Sequence, residues 1–247
     1  MNAISTFFDT APKPFTDWLS FAGSAVLWIA VTVLAYWLAL KLIRRMRGNP
    51  VFVPVATTSL MVMAVLLITH TPYAVYAAAT KPLNYWVGPA TVAIAIPLYG
   101  QLERLKRIWK PLLIALLIGS TVAMLSAIGI AWALGGSWET LMSLMPKSAT
   151  MPIAMPMAER FGGLPALAAV AVVITGVIGT IVSHPLLKVL KVTDPAARGF
   201  AIGLTAHAIG MARELQVNPA TGSFAALAMG LNAILTAVLM PLLLVWA

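Results

Sequence analysis

The sequence predicts an all-α integral membrane protein of six to eight spans, with broken or re-entrant helices and an internal repeat. Three observations predict it. Of the 247 residues, 61% are hydrophobic and only 9% charged, with a mean hydropathy of +0.94, whereas a soluble domain carries roughly 25% charged residues. Uncharged stretches cover 18–40, 48–80, 82–102, 111–138, 161–187 and 215–247, each at or above the ~18 residues of a spanning candidate. Two shorter apolar pieces, 148–158 and 199–212, fall below that length, and prolines interrupt the first, in "MPKSATMPIAMPM" at 145–157.

The chain opens on a polar segment, 1–17, with Asp9 and Asp17 ahead of the first apolar run. A cleavable signal has a basic start instead, so the first span is expected to be retained. Residues 18–247 read as a single multi-span membrane domain. The net charge of +9 comes from short basic loops, "KLIRRMRG" at 41–48, "ERLKRIWK" at 103–110 and "KVLKVTDPAARG" at 188–199. Basic loops between long apolar runs mark the cytoplasmic side and not a nucleic-acid site. On that rule the first span leaves the N-terminus outside, 51–69 returns outward, 82–102 comes in, and 111–134 goes out to "GGSWET", which has no basic residue. The rule thus places the basic loops in the cytoplasm.

Residues 146–160 hold at most 11 consecutive uncharged residues, and Pro152 and Pro156 would each remove a hydrogen bond from a continuous helix, so the segment reads as broken or re-entrant. A dip that returns to the outer side lets 163–187 deliver Lys188, Lys191 and Arg198 to the cytoplasm, as the charge rule prefers; a full crossing would put them outside. Later helices have explicit starts: Asp194 is a candidate N-cap with Pro195 behind it, and Asn218 with Pro219 repeats the arrangement.

"ATVAIAIPL", Ala90 to Leu98, matches "ATMPIAMPM", Ala149 to Met157, at five of nine positions, and both are followed by charges and a proline that opens a long apolar run, Pro111 and Pro165. The repeat units are about 82–134 and 141–187. Paired interrupted segments in corresponding positions point to a transporter binding site. Ser148 and Thr150, with Thr91 in the first copy, then lie at helix starts that attract anions. Lys147 adds a positive charge there unless it snorkels to the interface. The plainer reading is a proline kink whose Ser and Thr bond their own backbone.

His207 shares a helical face with Gly203, Gly210 and Glu214, and either touches substrate and carries a proton or bonds a neighbouring helix. Arg213 and Glu214 read as an interfacial pair. Asn232, one turn from Thr236, faces protein or water, as site or as helix-to-helix glue. Ser223, near the start of the last helix, is a further substrate-binding candidate. Cysteine is absent, and His70, His184 and His207 lack metal-ligand spacing, so no metal or other cofactor is expected. No nucleophile, acid or metal set suggests an enzyme.

"GPATVAIAIPLY", "MPKSATMPIAM", "FGGLPALAAVAVVITGVIG", "DPAARGFAIGLTAHAIGMAREL" and "GSFAALAMGLNAILTAVLMPLL" resemble the LrgB/CidB family of bacterial inner-membrane proteins, from about Ala39 onward. That family is described as antiholin-like and linked to murein hydrolase export and cell lysis, and also to movement of small carboxylates such as pyruvate. The plastid glycolate/glycerate translocator is similar to a fusion of LrgA and LrgB. The resemblance implies a membrane transporter of small monocarboxylates with a small LrgA/CidA-like membrane partner, or alternatively a holin-like pore or lysis regulator. A homodimer is expected on size. Where many relatives resemble "PKSVTTPIAMEV", Met151 replaces the second Thr here, so this chain lacks a hydroxyl at that position.

Overall fold

The computed structural model describes residues 13–46, 53–86, 89, 92–93 and 95–244, with side chains from residue 23 onward except at 84, 95 and 97. Its described segments are helices and turns. Four helices are long and apolar enough to cross a membrane, within 23–45, 102–133, 165–189 and 219–244. Their outward faces are apolar as well: Ile118 and Val122, midway along the second of them, are 60% and 58% exposed. Such a surface is stable against lipid and not against water. The chain is a helical membrane protein.

The contacts divide it into two compact units, residues 1–93 and 94–247. In the first, α1 (Lys13–Arg45) packs on α2 (Pro54–Ile68) and α3 (Tyr73–Thr80), and a 3-10 turn follows at Lys81–Trp86. Trp28 and Tyr76 meet edge to face with centroids 5.7 Å apart, and the Tyr76 hydroxyl lies 3.0 Å from that of Thr32. These polar groups satisfy one another in an apolar helix pair, which is what burial requires.

In the second unit, the short α4 (Ala95–Tyr99) precedes α5 (Leu102–Ala133). Then come α6 (Trp138–Leu144), α7 (Met151–Arg160), α8 (Pro165–Val189), α9 (Pro195–Val217) and α10 (Pro219–Leu244). The helix starts follow local chemistry. Asp194 accepts from the amide of Ala197 at 2.9 Å, and Asn218 accepts from the amides of Ala220 and Thr221 at 2.9 and 3.1 Å. Each cap is followed by a proline whose missing N–H costs nothing in the first turn.

Two segments fold back on themselves. α6 and α7 form hairpin 1: the Trp138 indole donates to the carbonyl of Phe161 at 3.1 Å, and the Leu164 amide donates to Ser143 Oγ at 2.7 Å. The chain therefore leaves hairpin 1 beside the place where it entered. Gly163 makes this possible, since a Cβ there would lie 2.8 Å from the amide nitrogen of Ser143. The reversal occupies 145–150, ahead of both Pro152 and Pro156. Pro152 falls in the first turn of α7, and the helix continues through Pro156.

Hairpin 2 is α9 itself. Its backbone is helical except at His207, where φ is 40° and ψ −130°, and the two arms meet again beyond that point. A Cβ on Gly210 would stand 2.7 Å from Cγ2 of Ile202, eight positions earlier, whereas a straight helix would separate them by about 12 Å. The incoming arm, 195–206, packs backbone to backbone on α10, with Gly199 against the Thr221 carbonyl and Gly203 against that of Ala225. The returning arm, 208–217, brings Leu215 against Gly222.

The hairpins open toward opposite ends of the unit. Hairpin 1 packs Leu141, Met142, Met145 and Met157 around Met124 and Ala131 in the latter part of α5. Hairpin 2 begins at Asp194, which pairs with Arg104 at the start of α5, and its Phe200 and Leu204 pack on Leu112 and Leu116. A hairpin followed by a long helix thus occurs twice, the second time inverted. This recurrence, 138–189 and 195–244, has a different register from the one expected at 82–134 and 141–187. Part of that first expected copy, including Ala90, Thr91 and Ile94, lies outside the described residues.

Candidate functional site

The tips of the two hairpins come together near the middle of α5 and α10 and beside the first third of α8. Asn232 on α10 accepts from the Ser120 hydroxyl of α5 at 2.5 Å. Its amide group donates to the carbonyl of Ser148 in the tip of hairpin 1 at 2.8 Å and approaches that of Leu204, in the incoming arm of hairpin 2, at 3.5 Å. Asn232 is 1% exposed. An asparagine this deeply buried is held by its bonds on both ends of the amide, and these bonds tie the two tips together.

At the tip of hairpin 2, His207 Nε2 donates to the carbonyl of Val172 on α8 at 2.9 Å. Gly176, one turn further along α8, leaves room for the ring, for a Cβ there would stand 2.6 Å from His207 Cε1. A histidine at φ 40° is in a region that side chains rarely adopt, and backbone strain of this kind costs about 1–3 kcal/mol. The bond to Val172 and the tight arms around Gly203 and Gly210 hold it there.

Lys147 is half-buried beside these groups, with Nζ 3.5 Å from the Ser148 hydroxyl and its charge within electrostatic reach of His207. Thr150 is the N-cap residue of α7. Its carbonyl accepts from the amides of Ile153 and Ala154, while its side chain makes no capping bond. Pro152 has no N–H, so at this helix start the Thr150 hydroxyl and the Met151 amide have hydrogen-bonding capacity to offer a ligand.

Of the residues singled out in the sequence, Lys147, Ser148, Thr150, His207 and Asn232 converge on the tips. Ser223 lies elsewhere: its hydroxyl bonds back to the Pro219 carbonyl at 2.7 Å, roughly 13 Å along α10 from Asn232. Thr91 lies outside the described residues. The shared face expected of Gly203, His207, Gly210 and Glu214 does not form, because the reversal at His207 turns Gly203 toward α10 and sends Glu214 to α8. Glu214 is buried there against His184, Nε2 to Oε1 at 2.7 Å. Ser120 and Val172 were not legible as site residues, one being a lone serine in an apolar helix and the other acting through its carbonyl. Among the described residues no three His, Asp or Glu side chains converge as metal ligands would.

Fold and site together define a helical membrane protein in whose second unit the tips of two oppositely directed hairpins meet. The chain belongs to the LrgB-like family, whose pattern matches residues 32–246. It is 37% identical over 215 residues to an uncharacterized protein of Haemophilus influenzae, covering 87% of this chain and 93% of that one. It is 35% identical to the uncharacterized protein YxaC of Bacillus subtilis, covering 90% and 96%. Similarity to an antiholin-like protein LrgB of Bacillus cereus is 30%, covering 87% and 93%. No solved structure matches the chain.

Proposed function

We propose that this chain carries small monocarboxylates, of the glycolate, glycerate or pyruvate type, across the bacterial inner membrane, with the substrate held between the hairpin tips. The observation that supports it most is the meeting of Ser148 and Leu204, one from each hairpin, on the single side chain of Asn232. Interrupted helices place polar backbone groups deep in an apolar protein, where they are tolerated only around a buried site or a wet cavity. The start of α7, with the Thr150 hydroxyl and the Lys147 charge beside it, suits a carboxylate. An LrgA/CidA-like membrane protein is the proposed partner, and a homodimer the proposed assembly. No catalytic role is proposed.

The similarity to an antiholin-like protein of Bacillus cereus supports a second reading, a holin- or antiholin-like pore or regulator of murein hydrolase export and lysis. A pore of that kind requires associating spans but no meeting of hairpin tips. Flux of labelled pyruvate and glycolate into proteoliposomes, with and without the partner, separates the two. A carrier saturates and is accelerated by unlabelled carboxylate on the far side. Linear flux that also admits an unrelated sugar would overturn the carrier reading in favour of the pore.

A further inference from the structure

We infer that His184 and Glu214 form a proton-binding site at the root of the returning arm of hairpin 2, apart from the tips and linked to carboxylate binding there. The inference takes its ligand from the carrier reading and its proton from residues that reading does not use.

Glu214 is 2% exposed and lies 2.7 Å from the His184 ring, whose side chain keeps 22% of its surface. A carboxylate so poor in water needs a compensating partner, and imidazole is the side chain whose charge changes most readily near neutral pH. The other charged groups around the pair are few. Arg213, next in the chain, is within electrostatic reach of Glu214, and Lys188 lies one turn beyond His184 on α8. α10, which packs on both arms, has no titratable residue between Pro219 and Leu244. Lys147 and His207 stand at the tip, seven positions or roughly 10 Å along the returning arm.

With Arg213 charged, a neutral His184 donating Nε2–H to the Glu214 carboxylate leaves the three groups neutral together. One proton taken from solution adds to the remaining ring nitrogen and makes an N–H bond. No other bond breaks. The set then carries one positive charge, which an anion at the tip favours. The path between the two sites is a single element, since the returning arm is bonded to α8 at both ends, His207 to Val172 and Glu214 to His184. Binding at one end and protonation at the other bias the same contact, and such coupling is reciprocal.

The test uses the purified full-length chain in weakly buffered detergent solution, with pyruvate added and released or absorbed protons read by an indicator dye. The expected result is net proton uptake on binding, with an affinity that rises on acidification by up to about tenfold per pH unit for one linked proton. Glu214→Gln and His184→Gln should bind pyruvate without proton uptake. Should Glu214→Gln fold poorly, His184→Gln, at the more exposed partner, carries the comparison. Binding by the parent with no proton exchanged, or uptake that survives both substitutions, would overturn the proton site and leave the carrier reading standing. If neither pyruvate, glycolate nor glycerate binds the parent at all, the carrier reading fails and the linkage with it.

Discussion

Asn232, on the helix that follows hairpin 2, holds the tip of hairpin 1 by donating to the Ser148 carbonyl at 2.8 Å. The relation is reciprocal, because Val172, on the helix that follows hairpin 1, accepts from His207 in the tip of hairpin 2 at 2.9 Å. Each half of the unit braces the other at its most irregular point. Non-helical backbone inside an apolar protein requires such outside partners, since its own helix no longer supplies them.

Replacing Asn232 by Ala removes the donor to Ser148 and leaves the Ser120 hydroxyl without its acceptor. Buried polar groups left unsatisfied cost about 1–3 kcal/mol each. Asn232→Ala should therefore lower the thermal midpoint by roughly 5–10 °C and also weaken carboxylate binding. Thermal unfolding of the detergent-purified protein checks the first effect. A midpoint within 1 or 2 °C of the parent, on the order of the smallest shift expected per kcal/mol, would show that the tips do not depend on this side chain.

His207 offers a separation of backbone from side chain. His207→Ala loses the bond to Val172 and keeps the strained φ, whereas His207→Gly loses the same bond and relieves the strain. The glycine variant should be more stable than the alanine variant by about 1–2 kcal/mol, the reverse of the order expected inside an ordinary helix. Denaturation of the two variants side by side decides it, and alanine above glycine would mean that the reversal at 207 is not formed.

Much of this architecture is legible in the sequence, and the two hairpins show where legibility ends. Hairpin 1 carries its prolines openly, and Asp194 and Asn218 advertise the helix starts through their side chains. Hairpin 2 has neither proline nor glycine at its reversal. Positions 203, 207, 210 and 214 look like one face only while the helix is assumed continuous, and the reversal at His207 is imposed by packing of Gly199 and Gly203 on α10. Tertiary contact overrides the 3.6-residue period there, so no count of spacings could have placed Glu214 against His184. The inverted recurrence was hidden for the same reason: its two halves share geometry, while the matched words "ATVAIAIPL" and "ATMPIAMPM" share letters.

The glycines of the incoming arm give a graded test of that packing. A Cβ at Gly199 or Gly203 would lie 2.1 or 2.0 Å from a carbonyl oxygen of α10, while at Gly129 or Gly230 nothing stands within 4 Å. Gly199→Ala and Gly203→Ala must push hairpin 2 off α10 and should reduce the yield of folded protein severalfold. Gly129→Ala and Gly230→Ala should be neutral or stabilising by about 0.5–1 kcal/mol. Size-exclusion profiles of the four variants check the ranking.

Sidedness follows from the folded-back hairpins together with the basic loops. Single cysteines at Arg45, Lys106, Lys191 and Val217 should label only from the cytoplasmic side, and cysteines at Ser137 and Gly162 only from the outer side. The informative pairs are Lys191 with Val217 and Ser137 with Gly162, because a hairpin puts both members on one side and a crossing helix would divide them. Labelling intact cells and inverted vesicles with a membrane-impermeant maleimide checks this. A divided pair would replace that hairpin by a span.

The last prediction concerns the threonine hydroxyls of the two matching stretches of sequence, Ala90 to Leu98 and Ala149 to Met157. Thr150 caps α7 with its backbone alone, so its hydroxyl is not engaged in capping. If a carboxylate sits at the tips, Thr150→Val keeps the shape and removes one hydrogen bond to a charged group, a loss of roughly 1.5–3 kcal/mol. Affinity should fall about 10-fold or more, since ~1.4 kcal/mol is tenfold, with expression and folding unchanged. Thr91→Val, at the residue that the sequence match pairs with Thr150, is expected to behave alike. Thr236 is buried on α10 one turn from Asn232, where helix packing accounts for it, and Thr236→Ala should bind like the parent. Isothermal titration of pyruvate into the three variants and the parent, prepared together, makes the comparison. Parental affinity in both valine variants would mean that the turn at 145–150 is a structural reversal and that the carboxylate does not bind at these hydroxyls.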